Sequence, residues 1–209
     1  FADWANRGLN QWTIEQTSIT LASGVRDYPG GTITMTVGAS TSLTVGETIT
    51  GGTSAATATI TSKPSATTLA LTIPSGTFQA AETITGGTSG ATTTVSAAVD
   101  LSDVRSTIDI LSSVVTRDGT DFQIERISRS SYLNIPDKDQ TGRPNQFFLD
   151  RQITPILRVW PTPDKNTDII KFDRLTRIDD ADTNTNTVDV PFRFYPCLTA
   201  GLAYYISMK

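Results

Sequence analysis

Residues 46–60 read "GETITGGTSAATATI", and residues 81–95 read "AETITGGTSGATTTV". The match extends upstream of both quotations. "TITMTVGASTSLTVGETITGG" aligns with "TLALTIPSGTFQAAETITGG", with one residue of slack in the middle. Ile33, Met35 and Val37 then fall on Leu69, Leu71 and Ile73. Leu43 falls on Phe78, Ile49 on Ile84, and Ile60 on Val95. Apolar residues alternating with Thr give the two-residue period of a half-buried strand. The "TGGTSA" and "TGGTSG" pieces place Gly where a turn needs positive φ. Each repeat of about 35 residues therefore predicts three or four short strands and a tight turn. One repeat has too little apolar surface to fold alone, whereas two packed together can share a core. A flexible linker has no reason to keep Ile, Val and Leu alternating in register.

The repeats speak a different dialect from their surroundings. Residues 30–100 hold 21 Thr, one aromatic (Phe78) and four charged residues, Glu47, Lys63, Glu82 and Asp100. The other 138 residues carry the remaining 15 aromatics and 34 charges. The shift marks an inserted all-β module at 30–104 with two tandem repeats, within a body made of 1–29 and 105–209.

With the module set aside, the flanks join into a plausible body. "TSITLASGVRDYP" predicts a strand ending at a Pro turn. "STIDILSSVVTRDGTDFQIERIS" predicts a hairpin turning at Arg117-Asp118-Gly119. Ser130 or Ser131 caps a short helix that Pro136 limits. "QFFLDRQ", "PILRVWPTPD" and "DIIKFDRLTRI" predict three more strands. A helix is expected from about Pro191, with Phe194, Tyr195, Leu198, Leu202, Tyr205 and Ile206 along one face. The opening residues show a matching face of Phe1, Trp4, Ala5, Gly8, Leu9 and Trp12. The expected fold class is thus α+β: terminal helices packed together with a β-sheet body, plus the inserted module. Both ends read as trimmed or disordered termini of a longer protein, since the chain starts at Phe1 and stops inside a helical run. No apolar run approaches membrane-spanning length, and no secretory signal opens the chain.

The order of these stretches resembles the head-to-tail adaptor proteins of short-tailed bacteriophages, a group that includes the tail tubular protein A of podoviruses and related connectors. Three stretches carry the resemblance: "RISRSSYLNI", "GRPNQFFLD…PILRVWPTPD" and "VPFRFYPCLTAGLAYYIS". It covers residues 1–29 and about 105–209, and the Thr-rich repeats lie outside it. Those repeats are similar to add-ons of phage structural proteins. The resemblance implies a virion protein at the head-tail junction, a homo-oligomeric ring of about a dozen subunits. Portal protein and a tail nozzle or tail tube protein are the implied partners, with genomic DNA passing through the channel unbound. A net charge of −4 suits a channel that should not grip phosphate. The other reading is a β-rich carbohydrate-binding or adhesin-type virion protein that uses the repeats.

No enzyme is expected. The chain has no His, which excludes the commonest general base and every Ser-His-Asp or Cys-His arrangement. The lone Cys197 reads as core packing within a helix. Asp109, Glu125, Asp150 and Asp173 sit on predicted strands, where charged residues usually face water. In "DDADTNTNTVD", Asp180, Asp182, Asn184 and Asn186 alternate like calcium ligands. The pattern then breaks at Thr185 and Pro191, where Gly and Glu belong, so an Asx-rich turn and no metal or cofactor is the reading. Arg126, Arg129, Lys138, Arg143 and Arg151 form a mildly basic stretch. Tyr132, Phe147 and Phe148 among them read as core. Arg126, Arg129, Tyr132 and Arg143 are the candidate contacts to a neighbouring subunit or the portal.

Overall fold

A computed structural model describes residues 12–97, 99, 101–177 and 195–207. Two strands precede the repeats, β1 (Trp12–Thr20) and β2 (Asp27–Pro29). The repeats hold β3 (Thr34–Thr36), β4 (Thr48–Gly51), β5 (Thr57–Ser65), β6 (Thr68–Leu71), β7 (Thr83–Gly86) and β8 (Thr92–Thr94). Next come α1 (Ser102–Ser106), β9 (Thr107–Arg117), β10 (Thr120–Gln123), β11 (Glu125–Arg126) and α2 (Arg129–Leu133). The remainder is β12 (Thr141–Gly142), β13 (Gln146–Asp150), β14 (Ile156–Trp160), β15 (Thr162–Pro163), β16 (Ile169–Arg177) and α3 (Tyr195–Ser207). By compactness the chain divides into Ile14–Thr176 and a second unit of the two chain ends.

Within Ile14–Thr176 the repeats form one six-stranded antiparallel sheet, ordered β3-β6-β5-β4-β7-β8. The sheet closes on itself. Val37 bridges Val95, the Gly38 amide donates to the Thr94 carbonyl at 2.9 Å, and the Ser96 amide donates to the Thr36 carbonyl at 2.8 Å. A closed barrel leaves no open edge between its first and last strands. Thr on alternate positions faces water while Ile49, Ile60, Leu69 and Ile84 are fully buried, along with Leu43, Phe78 and Val95. Burying each of these side chains stabilises the fold by about 1.5–3 kcal/mol.

At the centre of the barrel β4 pairs with β7 so that Thr50 lies opposite Thr85, the same position of the two repeats. Equivalent residues are thereby related by an approximate two-fold axis, which explains why the sequence repeats. The Glu47 carboxylate accepts from the Ser89 amide at 2.9 Å, the Thr88 amide at 3.2 Å and the Ser89 hydroxyl, all in the other repeat's turn. It also accepts from the Thr44 amide in its own repeat. Glu82 does the same in reverse, accepting from the Ser54 amide at 3.0 Å, the Thr53 amide at 3.3 Å, the Ser54 hydroxyl and the Gln79 amide. Both glutamates are buried, at 4% and 5% exposure. Burial raises both carboxyls, but these hydrogen bonds outweigh it and hold them below the usual glutamate range. The spacing between Glu and the Gly-Gly turn follows from packing. A Cβ on Gly51 would come within 2.7 Å of Glu82 Oε2, and one on Gly86 within 2.6 Å of Glu47 Oε2.

The rest of Ile14–Thr176 packs mainly as two sheets face to face, with β12 and β15 forming a separate parallel pair. One is ordered β1-β16-β9-β10; the other is β11-β13-β14-β2, antiparallel except for the parallel pair β11–β13. Ile19, Ile110, Val115, Ile170 and Phe172 from the first meet Tyr28, Phe147, Leu149, Leu157 and Val159 from the second. The β9–β10 turn uses Asp118 and Gly119, both at positive φ, as a two-residue hairpin requires.

Barrel and sandwich meet where the chain crosses between them. Arg174 of β16, with a side chain only 3% exposed, donates to Asp103 at 2.5 Å, to Glu15 at 2.9 Å and to the Thr107 hydroxyl at 3.1 Å. Asp103 also accepts from the Thr32 amide at 2.7 Å, so α1, which leaves the barrel, is tied to the loop that enters it. Gly31 lies so close that a Cβ there would press on Arg174 and approach Asp103 Oδ2 at 2.8 Å.

The expected α+β body with packed terminal helices is not found. The described residues are mostly β, with only three short helices. Trp12 opens β1 instead of closing a helix, because Thr13, Ile14, Thr17, Ile19 and Thr20 after it favour extended backbone. The face drawn from Phe1, Trp4 and Leu9 lies outside the described residues. α3 forms, but none of its residues is buried, and Leu202 is 60% exposed. Its sequence, "YPCLTAGLAYYIS", has no charged residue, so an apolar stripe there identifies no packing face. Cys197, expected in a core, is exposed for the same reason. The cap of α2 is Ser128, whose hydroxyl accepts from the Ser131 amide, two or three residues before the expected Ser130 or Ser131. The acidic loop 179–189 lies outside the described residues.

Candidate interface groove

β11 runs beside β13 only briefly. Glu125 and Arg126 pair with Gln146 and Phe147, and the Ile127 amide makes a last bond to the Phe147 carbonyl at 2.9 Å. Ser128 then caps α2 and the chain turns away. β13 continues to Asp150 with no strand of the described residues beside it on that side. The divergence opens a groove of about 540 Å³ between Arg126–Arg129 and Phe148–Arg151.

Its charges come from four strands, a helix and the residue that follows β13. Asp109 of β9 accepts from Arg126 at 2.8 Å and from Arg151 at 2.7 Å. Partial burial raises the Asp109 carboxyl, but the bonds from Arg126 and the Ile110 amide, with both arginine charges, hold it below the usual aspartate range. Asp150 was expected to face water; it is buried, at 4% exposure. Gln152 donates to it at 2.9 Å, and Arg129 and Arg158 stand 3.7 and 3.6 Å away. The buried Nε of Arg158 has no hydrogen-bond partner among the described residues. Arg129 and Arg151 remain open to solvent, with side chains 69% and 58% exposed.

The structure brings together Arg126, Arg129 and Arg151 of the basic stretch. Arg143 lies elsewhere, its guanidinium 3.8 Å from the centre of the Phe122 ring. Tyr132 is buried, stacked on Phe148 at 5.7 Å between ring centres, with Lys138 and Arg158 near its face. Phe147 is also buried, in the sandwich core. Asp109, Asp150 and Arg158 are members of the site that sequence reasoning missed. Phe148 was the available signal for Asp150. Alternation puts both on the outward face of β13, and an aromatic there says that something covers that face.

No group of three or more acidic or Cys side chains that could hold a metal ion occurs among the described residues. No described helix is long and apolar enough to cross a membrane. Comparison with family models, with curated proteins and with solved structures gives no match for this chain.

Proposed function

We propose that the chain is a structural virion protein, a head-to-tail adaptor that assembles into a ring below the portal, extends the DNA channel and docks the tail. The supporting observation is where the resembling stretches lie. "RISRSSYLNI" supplies the end of β11 and α2, while "GRPNQFFLD" and "PILRVWPTPD" supply β13 and β14. These strands are neighbours in one sheet, and the groove opens on its outer side with two exposed arginines. Two of the three resembling stretches thus lie side by side; their strands are largely buried, and the exposed arginines at their edge are what they offer to a neighbour. The function needs no catalysis, and DNA would traverse the ring without specific contacts.

A second reading has an observation of its own. Thr92, Thr85, Thr50 and Thr57 lie directly opposite one another across four barrel strands, a row of hydroxyls and methyls without charge. An adhesin could present such a row to a glycan. Imaging the purified chain alone and mixed with portal separates the readings. Rings coaxial with the portal support the adaptor; a monomer that instead binds a glycan array through the barrel overturns it.

A further inference from the structure

We infer that the open edge of β13 takes up an extended, acidic segment of a partner protein as an added strand, with its carboxylates on Arg129 and Arg151. The backbone geometry supplies the first half. The Val159 amide donates to the Arg26 carbonyl, on the β2 side, so Val159 and its opposite residue Phe147 are not a hydrogen-bonded pair. Phe147 therefore turns its peptide groups toward β11, as its bond from Ile127 confirms. Leu149, two residues on, turns the same way, but the chain has by then left for α2. The peptide groups of Leu149 face the groove where the next strand would lie. An extended chain there satisfies them as any added strand does.

Charge supplies the second half. Arg126, Arg129 and Arg151 outnumber Asp109 and Asp150 around the groove, in a chain whose net charge is −4. Asp109 already occupies Arg126 and one Nη of Arg151, and Arg129 stands 3.7 Å from Asp150, beyond hydrogen-bond distance, which leaves most of Arg129 and the rest of Arg151 to meet an incoming carboxylate. Alternate side chains of a strand repeat at about 6.7 Å on one face, so an acidic residue at every second position can reach both guanidiniums. A nucleic acid has no use for a strand edge, and the groove lacks exposed aromatics for stacking bases. The inference rests on the reading of this face as an assembly face, yet the two can fail separately.

The test uses the full chain and a short fluorescent peptide alternating valine and aspartate, followed by anisotropy. Saturable binding is expected, weakened about tenfold by Arg129→Glu and further by adding Arg151→Glu. Both side chains are mostly exposed, and unchanged melting temperatures confirm folding of the variants. Two controls leave the protein untouched: a peptide with lysine in place of aspartate, and one N-methylated along the bonding edge. Neither should bind. Equal binding of the N-methylated peptide reduces the effect to ion attraction and overturns strand addition. Absence of binding, insensitivity to both arginines, or preference for a single-stranded oligonucleotide also overturns it. So does self-association lost in the variants without peptide binding, which makes a second copy the occupant. Peptide binding by a chain that forms no ring at the portal sinks the adaptor reading alone.

Discussion

In the barrel, two glutamates are buried and each holds down a turn of the other repeat; in the sandwich, Asp109 and Asp150 sit among arginines at a groove that opens to solvent. The barrel's carboxylates are satisfied by backbone amides and hydroxyls, with no cation among their hydrogen-bond partners. The sandwich's are shared among several guanidiniums, three of them exposed. Charge used in the first way has only internal work to do. In the second it leaves partly filled valences at a surface, and on the proposed adaptor reading that difference would direct assembly to the sandwich and not to the barrel.

The comparison breaks most visibly at the clamps. Glu47→Ala strips the acceptor from three backbone amides and one hydroxyl, and Glu82→Ala does so at the equivalent place. Each should cost about 3 kcal/mol in thermal or denaturant unfolding, with near-equal values. The double change should unfold the barrel. Unequal single effects would show that the approximate two-fold symmetry of the repeats is not energetic.

The junction comes next. Replacing residues 30–104 by a Gly-Ser turn should leave a soluble body that still assembles, but with Arg174 buried and deprived of Asp103. A milder cut that keeps Thr32 and Asp103 restores the pairing, and should be more stable than the full deletion by about 3 kcal/mol in urea. Equal stabilities would show that Glu15 and Thr107 suffice for Arg174. Loss of assembly in both cuts would move the interface to the barrel.

How much of this was legible depends on what each region repeats. In the barrel the alternation of Ile33, Met35, Leu69 and Leu71 announced strands, and the doubled "ETITGG" announced symmetry. What stayed hidden was the reason for the glutamate, because its partners lie in the other copy of the turn. In the sandwich, strand existence followed from alternation in "IIKFDRL". Asp150 looked solvated because a single strand does not disclose that α2 covers its outer face. The terminal helices were misjudged for a related reason. Helical spacing in "GLAYYIS" describes a stripe, and with no polar face to oppose it, the stripe does not fix a partner. Across Trp12–Thr20 the β-branched residues outweighed that spacing.

Acid should distinguish the two regions more gently. The folded carboxyls of Glu47 and Glu82 release their protons more readily than in the unfolded chain, whose glutamates titrate near about 4.3. Their contribution to stability is therefore complete above that range and is lost as pH falls through the lower folded values. Melting temperature should drop below about pH 4. The Glu47→Gln, Glu82→Gln protein should start lower and show a flatter acid limb. An unaltered slope in that variant would place the acid sensitivity in Asp103 and Asp109, whose carboxyls are likewise held low by arginine after burial is overcome.

The smallest effect is expected at Leu202. A buried leucine at a helix–helix contact would lose several kcal/mol on change to aspartate, by introducing an unpaired charge into a core. In α3, however, Leu202 is more exposed than not, and Tyr204 and Ile206 beside it are exposed as well. Leu202→Asp should accordingly shift unfolding by no more than about 0.5 kcal/mol. The same substitution is informative at the next level. If subunits meet through α3, it should abolish assembly while leaving the melting temperature of the isolated chain in place. If they meet through the groove on β13, assembly should survive Leu202→Asp and fail with Arg129→Glu. A large loss of stability in the isolated chain would mean instead that α3 is packed within the subunit, and that the apolar stripe read from the sequence had a partner after all.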